Sequence, residues 1–109
     1  MSSGYYLLLL LVAAVLEAGG DALVRTGLRS TLFIRRAEFL LLGGIILFSY
    51  GVVVNLPRWD FGRLLSVYVT MFFLVAQLIN YLGFGQKPTI SIIVGGTLII
   101  IGGLIISFW

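Results

Sequence analysis

The sequence predicts an all-α integral membrane protein, a bundle of four transmembrane helices that assembles as a dimer. Hydrophobic residues make up 61% of its 109 residues and charged residues only 10%, far from the composition of soluble domains. Apolar runs recur along the whole chain, so a signal peptide does not account for them. Each run is close to the roughly 20 residues that a helix needs to cross a bilayer. A membrane β-barrel would need short alternating segments instead.

The predicted helices form a single domain over residues 1–109. They cover about residues 5–25, 39–56, 61–82 and 89–109. The first helix ends near Arg25 and Arg29, and Glu38 stands where an acid favours the start of the second. Pro57 ends the second helix because it restricts the residue before it, and Asp60 can cap the third.

Basic residues predict how the helices are oriented, because cytoplasmic loops carry an excess of Lys and Arg. Beside the first and third loops lie Arg25, Arg29, Arg35, Arg36 and Lys87, and beside the second loop lie Arg58 and Arg63. This excess predicts that both termini lie outside. Four aromatic residues lie on the termini side, where an aromatic belt would sit at the depth of the lipid headgroups. Random placement of these aromatic residues is the alternative. They are Tyr5, Tyr6, Trp59 and Trp109.

The residue types that are missing exclude several classes of function. The chain has no Cys and no His, so disulfides, thiol chemistry, histidine relays and the commonest transition-metal sites are excluded. No nucleophile and base stand in a recognisable pattern, so we expect neither an enzyme nor a cofactor. The net charge of +3 comes from residues at the ends of apolar runs, where they meet lipid headgroups rather than nucleic acid.

Glu17 is the residue that points most directly to a function. It lies about 18 Å along the first helix, too deep for its side chain to reach the near interface. Embedded carboxylates are rare and normally face a bundle interior or a wet cavity, where they can exchange a proton for a cation. A structural, hydrogen-bonded Glu is the alternative.

Two acids and a base continue along one face of the first helix. Asp21 and Arg25 follow Glu17 at spacings of four residues, so we expect Asp21 to pair with Arg25. A second proton-binding site at Asp21 is the alternative. Gly19 and Gly20 remove side-chain bulk where another helix or a substrate approaches the carboxylate, and helix packing explains them equally well.

Helix three carries polar side chains that lipid would penalise unless they faced protein or water. They are Ser66, Tyr68, Thr70, Gln77 and Asn80. Some of them should line a cavity, and Tyr68 can offer its ring to an organic cation and its hydroxyl to Glu17. We expect substrate or protons to bind at Glu17, Asp21, Ser66 and Tyr68.

Helix four repeats a glycine pair, Gly95-Gly96 and Gly102-Gly103. The spacing of seven residues puts both pairs on one helix face. Small residues let membrane helices approach closely. We therefore expect this face to form the dimer interface between subunits.

Three parts of the chain resemble the small multidrug resistance family of four-helix transporters, within the drug/metabolite transporter superfamily. They are residues 16–25 (LEAGGDALVR), residues 61–68 (FGRLLSVY), and the last loop and helix, with FGQK at residues 84–87 and VGGTLIIIGGLII at residues 94–106. The Gly-Arg pair followed by Tyr68 is most similar to the YnfA-like branch. Related lipid-carrier flippase subunits have a similar last helix.

The resemblance implies a proton-coupled exporter of small or hydrophobic cations in a bacterial or archaeal cell (inner) membrane, with Glu17 as the essential carboxylate. Its partners would be protons, a cationic substrate and the lipid bilayer. The antiparallel dimers of the family imply a homodimer, or a heterodimer with an oppositely oriented paralogue. Drug-exporting members usually carry Trp at the position of Tyr68, Tyr at Leu65 and a small polar residue at Val69, so the resemblance leaves the substrate open.

Two other functions stay open at this point. A lipid-carrier flippase subunit could hold an anionic headgroup with Arg25, Arg29, Arg35 and Arg36. A membrane interaction protein could pack through helix four alone. The embedded Glu17 in a glycine-lined stretch favours the exporter, because packing alone does not need a buried acid.

Overall fold

The computed structural model describes residues 3–108, which form four helices. The helices are α1 (Ser3–Leu28), α2 (Phe33–Val54), α3 (Phe61–Phe84) and α4 (Ile90–Phe108). Each is long and apolar enough to cross a membrane. The predicted all-α architecture with four membrane helices is therefore confirmed, and the dimer stays a prediction.

The second helix begins six residues earlier than the sequence predicted. Its first two turns contain Arg35, Arg36 and Glu38, so Glu38 does not mark the helix start. The side chains of all three are exposed, because long charged side chains can reach the headgroup region while their backbone stays helical. The Arg36 guanidinium also donates a hydrogen bond of 3.5 Å to the Leu28 carbonyl at the end of α1.

The ends of α3 and the start of α4 have recognisable caps. The Asp60 carboxylate accepts a hydrogen bond of 3.1 Å from the Arg63 backbone N–H, as predicted. Gly85 ends α3 at a φ of 68°, a left-handed conformation that favours glycine. The Thr89 hydroxyl accepts from the Ile92 N–H at 3.3 Å and so caps α4. The predicted end of this helix at Trp109 lies outside the described residues.

Helix α1 is the centre of the bundle. It packs against both α2 and α3, and α4 packs on α3. The core is a cluster of buried side chains, mostly from α1 and α3: Leu10, Ala13, Ala14, Ala18, Val54, Leu64, Val67, Tyr68 and Val75. Small alanines on α1 let the neighbouring helices approach, and this brings the middle of α3 close to Glu17.

Aromatic and cationic side chains join the helix ends on the termini side. The rings of Tyr6 and Trp59 meet edge to face with centroids 5.2 Å apart. The Arg63 guanidinium lies 5.5 Å from the Trp59 ring centroid and donates a hydrogen bond of 3.1 Å to the Ser107 carbonyl. The start of α1, the start of α3 and the end of α4 are therefore linked at one end of the bundle.

Candidate functional site

The Glu17 carboxylate meets the Tyr68 hydroxyl inside the bundle. The hydroxyl donates to Glu17 Oε1 at 2.6 Å and also lies 3.4 Å from the Ala13 carbonyl oxygen. The shorter distance is in the range of a hydroxyl bound to a carboxylate. Tyr68 is only 4% exposed and Glu17 is half-buried, so the hydrogen bond is partly shielded from solvent. The predicted contact between Tyr68 and Glu17 is therefore present.

Two more aromatic rings surround Tyr68. The Tyr50 ring lies 5.6 Å away at an angle of 31°, and the Phe72 ring lies 6.0 Å away in a stacked arrangement. Rings from α2 and α3 therefore flank the residue that holds the carboxylate. Sequence reasoning missed Tyr50. The available signal was its hydroxyl, because a polar group in the apolar α2 must find protein or water.

The predicted ion pair between Asp21 and Arg25 does not form within residues 3–108. The Asp21 side chain is exposed. Arg25 stands in the last turn of α1, and its guanidinium lies 5.9 Å from the ring centroid of Phe84 at the end of α3. A guanidinium is attracted to the face of an aromatic ring, so the long side chain contacts α3 instead of pairing with Asp21.

A groove of about 630 Å³ runs between the second halves of α1 and α3. Asp21, Arg25, Arg29, Gln77 and Asn80 are among its lining residues. Phe72 also lines it and stacks on Tyr68, so the inner end of the groove adjoins the carboxylate site. The prediction that polar residues of helix three line a cavity is confirmed for Gln77 and Asn80.

Ser66 and Thr70 do not join the carboxylate. The Ser66 hydroxyl donates to the Gly62 carbonyl one turn earlier in α3, at 2.7 Å. The Thr70 hydroxyl donates to the Ile99 carbonyl on α4, at 3.4 Å. Both groups therefore satisfy backbone acceptors. A role for Ser66 in binding stays a prediction, without a contact to Glu17 to support it.

The four glycines of α4 do not share one environment. An added Cβ would collide with Phe73 at Gly96 and with Thr70 at Gly103, whereas it would meet nothing within 4 Å at Gly95 or Gly102. Gly96 and Gly103 are buried against α3 of the same chain. This corrects the expectation that all four face another subunit, because neighbouring residues on a helix point about 100° apart.

The glycines beside Glu17 also divide into two environments. Gly20 is buried against α2, where an added Cβ would lie 2.8 Å from the Leu47 side chain. At Gly19 an added Cβ would meet nothing within 4 Å. Helix packing therefore accounts for Gly20, and Gly19 leaves open space next to the carboxylate-bearing turn.

Four helices that are each long and apolar enough to cross a membrane, with a partly buried carboxylate on the first, define a small multi-pass membrane protein. The chain is 33% identical over 102 residues to a UPF0060 membrane protein of Staphylococcus carnosus (strain TM300), and the match covers 93% of this chain and 92% of that relative. The chain therefore belongs to the UPF0060 family, the YnfA-like family related to small multidrug resistance proteins. This confirms the resemblance found in the sequence. No protein-family model and no solved structure matches the chain.

Proposed function

We propose that this protein is a proton-coupled transporter of the cell inner membrane that exports small or hydrophobic cationic compounds. The observation that carries the proposal is the hydrogen bond between the embedded Glu17 carboxylate and the buried Tyr68 hydroxyl, at 2.6 Å. An acid inside a membrane bundle is costly and normally serves an ion or proton pathway. Here it lies beside aromatic rings, which attract organic cations.

In this mechanism a proton and a cation compete for Glu17. The cation displaces the proton, takes the carboxylate as its counter-ion and packs against the rings of Tyr50 and Phe72. Tyr68 keeps a donor on the carboxylate while the other oxygen of Glu17 meets the substrate. The loaded protein then alternates the side to which the site opens. In a dimer, two Glu17 carboxylates would share this task.

The proposal is tested by measuring proton release when a cation is added to purified protein. Tetraphenylphosphonium, added to protein in weakly buffered detergent, should release protons from the wild type and none from Glu17→Gln. The Gln side chain keeps the shape and the hydrogen-bonding capacity of Glu, so thermal unfolding should show a folded variant. In vesicles, the same variant should lose proton-driven uptake.

Glu38→Gln is the matched control, because Glu38 is exposed on the first turns of α2. This variant should release protons as the wild type does. Proton release that persisted in Glu17→Gln would contradict the proposal. A lipid-carrier flippase subunit or a packing protein would release no protons from any variant.

A further inference from the structure

The groove between α1 and α3 contains charges of both signs. Its charged lining residues are Asp21, Arg25 and Arg29, and all three side chains are exposed. No ion pair joins Asp21 to either arginine within the part of the chain that the structure describes. A carboxylate and two guanidiniums therefore face the same space without neutralising one another.

These charges are ordered by depth. Asp21 lies about one helical turn beyond Glu17. Arg25 lies one turn beyond Asp21, and Arg29 one turn beyond Arg25, so that each residue is about 6 Å farther along the axis of α1 than the one before it. Arg29 lies just beyond the last residue of α1, and the contact with Phe84 directs the Arg25 guanidinium towards the end of α3. Asp21 therefore lies on the inner side of the groove, one turn from Glu17, and the two guanidiniums lie towards its mouth.

This order does not suit a ligand that carries only positive charge. A cation that reached Glu17 through the groove would pass two guanidiniums, which repel it. A ligand that enters with its cationic group first and carries an anionic group at its other end would meet an opposite charge at each position. Its cationic group would lie near Asp21, and its anionic group near Arg25 and Arg29. The side-chain amides of Gln77 and Asn80 on the facing wall can donate hydrogen bonds to the same anionic group.

We infer that the groove binds zwitterionic compounds, with the cationic end towards Asp21 and Glu17 and the anionic end between Arg25 and Arg29. This inference rests on the proposed function and narrows its substrate class from cations in general to cations that also carry a carboxylate or a phosphate. Phe72, at the inner end of the groove, offers a flat apolar surface to an aromatic spacer between the two charges.

The test compares two probes of the same shape: (4-carboxybenzyl)trimethylammonium, which is zwitterionic, and (4-carbamoylbenzyl)trimethylammonium, which is only cationic. Calorimetric titration of the purified protein should show the carboxylate probe binding roughly tenfold more tightly, as expected for a charge-assisted hydrogen bond in a partly solvated groove. The double variant Arg25→Gln/Arg29→Gln should lose this preference and keep its affinity for the amide probe.

Two further variants keep the test decisive. The single variant Arg29→Gln leaves the contact between Arg25 and Phe84 in place and should reduce the preference in part, even where the double variant fails to fold. Arg58→Gln removes one positive charge outside the groove lining and should keep the full preference. Equal binding of both probes to the wild type, or a preference that survives both groove variants, overturns the inference.

The failure of this inference can be told apart from the failure of the proposed function. If the amide probe binds and releases protons through Glu17 but the carboxylate probe binds no better, only the zwitterion assignment is wrong. If neither probe binds but tetraphenylphosphonium still releases protons through Glu17, the zwitterion assignment alone is wrong. If tetraphenylphosphonium releases no protons either, the proposed transporter function is wrong as well.

Discussion

The carbonyl oxygen of Gly20 lies only 3.0 Å from the position that a Cβ atom would occupy on Gly43. The relationship is reciprocal, because a Cβ on Gly20 would lie 3.2 Å from the Gly43 carbonyl oxygen. Helices α1 and α2 therefore cross with their backbones almost in contact. Close approach through small residues is a main source of association between membrane helices. The turn of α1 that follows Glu17 is held in place by this crossing.

We expect Gly43→Ala to destabilise the fold. The new methyl group would lie 2.8 Å from Val24 Cγ2 and 3.1 Å from the Val24 backbone nitrogen, as well as close to the Gly20 carbonyl. Backbone atoms cannot turn aside as a flexible side chain can, so the helices must separate. Overpacking of this kind costs about 1–3 kcal/mol, which unfolding in mixed micelles can measure.

The neighbouring Gly44→Ala is the control for this experiment. A Cβ at Gly44 would meet nothing within 4 Å, and Ala favours a helix over Gly by up to about 1 kcal/mol. This variant should be as stable as the wild type or slightly more stable. Equal losses in both variants would mean that the crossing of α1 and α2 is not the cause.

The sequence predicted the embedded carboxylate and its tyrosine partner but not the full ring cluster. Glu17 and Tyr68 stand out because each is a polar group within an apolar helix. The proximity of Tyr50 depends on how α2 crosses α1, and that geometry follows from the contact between Gly20 and Gly43. The glycine pair in α1 predicted a close approach by another helix, but not which helix approaches or at what angle.

The start of α2 was mispredicted for a related reason. Arg35 and Arg36 lie in a polar stretch that is typical of a loop, and the sequence therefore predicted a later start near Glu38. In a membrane protein, helical backbone can continue into the headgroup region, where charged side chains meet water and lipid phosphates. Local polarity therefore marks the membrane boundary better than it marks the helix boundary.

We expect Tyr68→Phe to weaken the fold more than Tyr50→Phe does. The first change keeps the ring but removes the donor that lies 2.6 Å from Glu17. Loss of one partner from a shielded hydrogen bond costs about 1–3 kcal/mol. The Tyr50 hydroxyl makes no hydrogen bond within residues 3–108, so its loss should change the free energy of unfolding little. Equal effects in denaturant titrations would mean that the hydroxyl contact does not stabilise the bundle.

We expect Gly95→Leu combined with Gly102→Leu to weaken the predicted dimer without unfolding the chain. An added Cβ at either glycine would meet nothing within 4 Å in its own subunit, so we expect a larger side chain there to obstruct a neighbouring molecule or lipid. Crosslinking yield in membranes should fall, while the thermal unfolding of the solubilised chain stays unchanged.

The companion variant Gly96→Leu separates the two kinds of packing. Its side chain would strike Phe73 of the same subunit, so this variant should lose thermal stability whether or not a dimer forms. If crosslinking is undiminished in the variant with Leu at positions 95 and 102, the dimer interface lies on another face.

The last prediction concerns orientation in the membrane. Five of the seven basic residues flank the first and third loops, and the absence of an ion pair between Asp21 and Arg25 within residues 3–108 leaves the charge of Arg25 in this excess. On the side of the second loop, Arg63 lies in the first turn of α3, and its guanidinium donates a hydrogen bond to the Ser107 carbonyl.

Because Lys and Arg near helix ends resist translocation, most copies should insert with both termini outside. An antiparallel dimer would then need a minority of inverted copies or a partner with the opposite bias. Reporter fusions at the C-terminus that distinguish cytoplasm from exterior should give a predominantly exterior signal. The excess of positive charge can be moved to the other side by combining Arg35→Gln and Arg36→Gln with new lysines beside the second loop. This variant should shift the reporter signal towards the cytoplasm. Equal signals from the unmodified chain would establish dual topology and contradict the argument from charge.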